Sequence, residues 1–131
     1  MLISFQSHFS ISKIISTFGQ YIAKQDMTKS IQSIGETLRT LREEKNLPLR
    51  KVAHQLDIDQ SFLSKIERDE RRATKEQIIQ LAKIYKVDEQ ELLLQYHSDK
   101  VLYEILEEKN TKEILKVAER KVNYLKSKKN G

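Results

Sequence analysis

The side chains that could do covalent or metal chemistry are few in this sequence, and they do not gather into a reaction centre. Its 131 residues contain no Cys. Thiol nucleophiles, disulfides and thiolate metal sites are therefore excluded. His8, His54 and His97 stand far apart and form no ligand cluster, and they read as ordinary surface or boundary histidines. There is no Gly-rich phosphate loop and no nucleophile set beside a base. The carboxylates fall mostly on helical faces balanced by Lys, a pattern that serves solubility. The expectation is a protein that is not an enzyme, with no cofactor, no metal and no evident small-molecule ligand. What remains is non-covalent chemistry: hydrogen bonds and charge. The 24 Lys and Arg residues outnumber 19 Asp and Glu, a balance that permits a polyanionic partner without demanding one. Polar and basic side chains of this kind cluster at Gln60, Ser61 and Lys65, followed by Arg68, Arg71 and Arg72.

Helices must position these residues. One Pro and three Gly punctuate the whole chain, good helix formers dominate, and no stretch alternates long enough for a sheet. The chain reads as all-α. Ile34, Leu38 and Leu41 make one apolar stripe on a helix expected from Ile31 to Lys45, with Ser33 and Glu36 in capping-box order. A second helix starts near Pro48 and buries Val52, Ala53 and Leu56. Asp59 caps a third, Gln60–Glu67, whose inner face is Leu63 and Ile66. Thr74 with Gln77 opens a fourth, lined by Ile78, Leu81, Ala82 and Tyr85. Asp88 with Glu91 opens a fifth, with Leu92 and Leu93 and then Val101, Leu102, Ile105 and Leu106, expected to break near His97–Ser98. Asn110–Thr111 opens a last helix in which Leu115, Ala118, Val122 and Leu125 form a heptad-like seam.

Within Leu49–Arg68 the spacing becomes specific. Two short helices that cross steeply need a small residue where their backbones meet, and Ala53 supplies it. The connection between them must reverse sharply, with its first residue at positive φ, which Asp57 tolerates better than most. Ile58 plugs the turn. Leu63 and Ile66 pack the third helix onto the second. Small, turn and apolar residues at these offsets make a helix-turn-helix pattern.

Residues 31–94 resemble the Cro/repressor-type (XRE) helix-turn-helix family. The strings Leu63-Ser-Lys-Ile-Glu-Arg68 and Leu81-Ala-Lys-Ile-Tyr-Lys-Val87 carry the likeness, with Leu92-Leu-Leu94 after Asp88. The likeness extends to small bacterial regulators found beside DNA methyltransferase or restriction genes. It implies a five-helix repressor-like domain over 27–96, an N-terminal extension at 1–26 and a C-terminal helical extension at 97–131. It also implies a cytoplasmic transcription regulator that binds double-stranded DNA as a homodimer, on a near-palindromic operator. By the same resemblance the third helix enters the major groove. Gln60 would pair with adenine, Lys65 with guanine, and Ser61 would donate or accept. Phe62 and Ser64 flank that face, and Phe62 either meets a thymine methyl or covers the helix edge. Arg68, Arg71 and Arg72 would hold phosphates. Arg42 would pair with Glu67 to fix the third helix and aim the arginine at a phosphate.

Four departures from the family pattern stand out. Leu49 replaces a DNA-contacting Gln, Pro48 replaces a Ser or Thr cap, and Asp57 replaces a turn Gly. Asp69 replaces a Gly after the third helix, placing an acid near the expected phosphates. The flanking segments are less specific. Residues 1–26 place Ile11, Ile14, Ile15, Phe18 and Ile22 at helical spacing, which fits a packing or dimer arm as well as a dispensable extension ahead of Met27. They lack the basic start and unbroken apolar run of a secretory signal. No run approaches the roughly 20 apolar residues of a membrane span, so no membrane partner is expected. The seam near the C-terminus would serve self-association or pack back on the core. An alternative reading keeps the fold but makes the chain an antitoxin-like or scaffold module, with DNA binding secondary.

Overall fold

The structure is a computed structural model, and it describes residues 31–130. Six helices follow one another: α1 (Ile34–Glu44), α2 (Leu49–Gln55), α3 (Gln60–Glu67), α4 (Lys75–Tyr85), α5 (Glu89–Ile105) and α6 (Thr111–Asn130). No strand occurs among the described residues, so the fold is all-α with a helix-turn-helix. The chain divides between Ala73 and Thr74 into two compact units, a boundary inside the 27–96 stretch that the sequence groups as one domain. The readings made for residues 1–26 lie outside the described residues.

The first unit is α1–α3. Ser33 caps α1 through a complete capping box with Glu36. The box sets the start at Ile34, so the expected start at Ile31 is three residues too early, and Ile31 is exposed. Pro48 occupies the N-cap of α2 and not its first turn. Leu38 of α1, Val52, Ala53 and Leu56 at α2, and Leu63 and Ile66 of α3 are all buried. Both α1 and α2 pack against α3. Asp59 stands at the N-cap of α3 in extended conformation but makes no side-chain cap bond. Its carboxylate instead accepts from the Ser61 hydroxyl two residues on, a charge-assisted bond that outcompetes a backbone N–H.

The second unit is α4–α6. Thr74 and Gln77 form a complete capping box on α4, which packs on α5. Asp88 accepts from the Gln90 and Glu91 backbones at the start of α5. That helix runs unbroken for 17 residues, so the expected break near His97–Ser98 does not occur. Neither Gly nor Pro is present to force one, Tyr96 is buried, and the Lys100 ammonium lies 5.3 Å from its ring centroid one turn on. Beyond Tyr96 the burial stops. Val101, Leu102 and Leu106 are exposed, and no residue of α6 is buried.

Four helices in succession end in the same way. Asn46, Asp57, Asp69 and Lys86 each take positive φ, between 53° and 62°. At each, the next residue's N–H reaches back five positions: Leu47 to Arg42, Ile58 to Ala53, Glu70 to Lys65 and Val87 to Ala82. These are Schellman endings, which usually use Gly at the left-handed position. None does here. Short polar side chains fill three of the positions, as left-handed backbone prefers when Gly is absent.

Candidate nucleic-acid interface

The helix α3 has one face inside and one outside. Leu63, Ile66 and Glu67 are buried, Phe62 and Ser64 are half-buried, and Gln60, Ser61 and Lys65 are exposed. At about 100° per residue, Ser61, Lys65 and Arg68 fall in one outward row. Gln60 and Ser64 border it on one side and Phe62 on the other. The structure thus brings the expected contact residues onto one surface. Phe62 is turned partly inward, as a residue covering the helix edge would be. The Ser61 hydroxyl donates to Asp59, so its hydrogen is committed and its oxygen is left to accept.

Two contacts fix the C-terminal half of this helix to α1. The first is the Arg42–Glu67 pair. Arg42 Nε donates to Glu67 Oε2 at 2.7 Å and Nη2 to Oε1 at 3.0 Å. Its Nη1 donates to the Leu47 carbonyl at 3.0 Å. The side chains are only 14% and 4% exposed. A planar fork matched to both carboxylate oxygens satisfies two charges that would be costly to bury singly. The guanidinium is turned inward, onto Glu67 and the Leu47 carbonyl. Its geometry is that of a brace, and the expectation that it also aims at a phosphate receives no support from it.

The second contact was not legible as a site residue. Asp69 follows α3 at φ 62°. Its carboxylate accepts from the Gly35 N–H at 3.2 Å and from the Ser33 hydroxyl at the start of α1. A carboxylate placed there meets unpaired N–H groups and the positive end of the helix dipole. Asp69, expected as an acid near the phosphates, thus has a structural task as well: its carboxylate caps α1. The approach is close enough to demand Gly35, where an added Cβ would lie 2.5 Å from both Asp69 Oδ1 and the Ile66 carbonyl. A Gly inside an otherwise strong helical pattern was the available signal for this contact.

The basic residues after α3 differ among themselves. Arg71 and Arg72 are exposed. Arg68 Nε lies 3.2 Å from Glu70 Oε2, with both side chains about half exposed, so a phosphate would have to compete with Glu70. Two basic residues escaped the sequence reading: Arg50 and Lys51 are exposed in the first turn of α2, beside the half-buried Leu49. Among the described residues no group of three or more His, Asp or Glu is placed to hold a metal ion. The shallow grooves described at the C-terminal end are lined along α6 by residues such as Val117, Tyr124 and Leu125.

Comparison with known proteins agrees with this geometry. Residues 33–94 match a family model described as a helix-turn-helix domain. No curated protein and no solved structure matches the chain. A sharp turn at Asp57, a small, buried Ala53 in α2 and an outward polar row on a buried-backed α3 are the parts such a domain requires, and residues 33–94 match its family model.

Proposed function

We propose that the chain is a sequence-specific regulator of transcription, of Cro/repressor (XRE) type, that occupies a near-palindromic operator as a homodimer. The observation that carries this reading is the amphipathic division of α3. Its polar row of Ser61, Lys65 and Arg68, bordered by Gln60, faces outward, while Glu67 and Asp69 anchor the same helix from behind. A helix held in this way can be presented to a major groove without being ordered first. Gln60 offers a carboxamide for adenine and Lys65 an ammonium for guanine. Ser61, whose proton is committed to Asp59, accepts, as from a cytosine amino group. Arg68, Arg71 and Arg72 are the phosphate ligands, with Arg50 and Lys51 added to them. No described helix is long and apolar enough to cross a membrane, and the proposed site of action is the cytoplasm.

Selection from a random duplex library tests this reading directly. A short two-fold symmetric consensus is expected for the native chain, and it should relax or vanish with Gln60→Ala/Lys65→Ala. Loss of binding to salt alike in both proteins, with no consensus, would leave only phosphate contacts and would sink operator reading by α3. The antitoxin-like or scaffold alternative has one observation in its favour, the uncovered apolar side chains of α5 and α6. It would lead if no consensus emerged.

A further inference from the structure

We propose that the C-terminal half of α5 and the whole of α6 form the surface on which a second copy of this chain docks, acidic α5 of one copy against basic α6 of the other. This deepens the homodimer reading above and rests on it.

The starting point is an element that buries none of its residues, the 20-residue α6. At about 100° per residue, Leu115, Val117, Val122, Tyr124 and Leu125 fall within one half of its circumference. All five are exposed. A helix of this length is marginal alone in water and takes most of its stability from packing an apolar face. The same is true of the end of α5, where Val101, Leu102 and Leu106 are exposed beyond the last buried side chain, Tyr96. Roughly 50–100 Å² from each of these eight side chains gives about 400–800 Å² per copy, approaching the ~800 Å² per partner of a stable interface.

Charge selects the occupant. The segment 111–130 carries Lys112, Lys116, Arg120, Lys121, Lys126, Lys128 and Lys129 against Glu113 and Glu119, a net of +5. Two copies of α6 laid directly together would set these charges against each other. The end of α5 and the turn after it are opposite in sign, with Asp99, Glu104, Glu107 and Glu108 against Lys100 and Lys109, a net of −2. The helix has no basic residue in its last turn, so Glu104 and its neighbours sit unfavourably at the negative end of the helix dipole. A cationic helix laid there offsets both. Two-fold symmetry makes the contact twice, α5 to α6 and α6 to α5.

That reciprocity gives a test using the full chain, without DNA, by sedimentation velocity. One variant reverses α5 (Glu104→Lys/Glu107→Lys/Glu108→Lys) and another reverses α6 (Lys121→Glu/Lys126→Glu/Lys128→Glu). Circular dichroism checks that both stay helical. Each alone repels at both contacts and should dimerise at least about tenfold more weakly than the native chain. Mixed in equal amounts they attract at both contacts, and dimers should return. If the native chain dimerises but the mixture stays monomeric, or neither reversal weakens it, this surface assignment is overturned and the homodimer reading stands. If the native chain is monomeric throughout, both fall. In that case, capture of the monomer by anionic phospholipid vesicles would identify a membrane surface as the occupant.

Discussion

Single side chains decide how firmly the reading helix is held. Arg42 and Glu67 form a nearly buried two-bond pair. Removing one partner leaves the other charge buried, at a cost of about 3–5 kcal/mol, whereas replacing both by apolar residues is often near neutral. Arg42→Met should therefore lower stability by about that amount in urea unfolding, and Arg42→Met/Glu67→Leu should recover most of the loss. Recovery absent from the double variant would show that the pair does more than satisfy itself. Gly35 makes a second residue-scale case. A methyl there lies 2.5 Å from a backbone carbonyl that cannot swing away, so Gly35→Ala should destabilise by about 1–3 kcal/mol despite its better helix propensity. A thermal midpoint at or above the native value would refute the close approach. The sequence disclosed the Arg42–Glu67 pair only through family likeness. It did not disclose Asp69 with Gly35 at all, because a contact across 34 positions leaves no periodic trace.

Among the elements, the helices were legible wherever two independent signals coincided. Ser33 with Glu36 and Thr74 with Gln77 mark starts because the box needs both residues at fixed spacing, and the structure holds both boxes complete. Asp59 had no such second signal, and its side chain went to Ser61 instead. The expected break at His97–Ser98 is absent because both residues are exposed, and a helix tolerates polar residues on its outer face. Gly would have marked the left-handed positions at the helix ends; without it, only Asp57 was expected to take positive φ. Lys86, at φ 55°, is the least suited of the four. Left-handed backbone costs a residue with a side chain about 1–2 kcal/mol, and Gly returns roughly 0.5–1 kcal/mol of that to unfolded-chain entropy. Lys86→Gly should thus raise stability by about 0.5–1 kcal/mol. A lower denaturation midpoint would mean that the Lys side chain makes a contact worth more than the strain.

For the molecule as a whole, the positive charge is unevenly placed. In 31–73 nine basic residues face eight acidic ones, while 111–130 alone reaches +5. Affinity for DNA should therefore depend on a few well-placed arginines more than on a general positive field. In a dimer, Arg71→Ala/Arg72→Ala removes up to four phosphate contacts, and the plot of log affinity against log salt should flatten by about 4. An unchanged slope would take both residues off the phosphate backbone. The C-terminal basic helix was visible in the sequence as a seam and a charge run. That it buries none of its residues was not, since a stripe at heptad spacing looks the same whether its partner lies in the same chain or in another.

The clamp behind α3 has a consequence for heat. Because Glu67 and Asp69 already tie the helix to α1, duplex binding has little protein left to freeze. Calorimetry of operator binding should then show a heat-capacity change set by the contact surface alone. The larger change that accompanies folding on binding should appear only when Asp69→Ala frees one end of the helix.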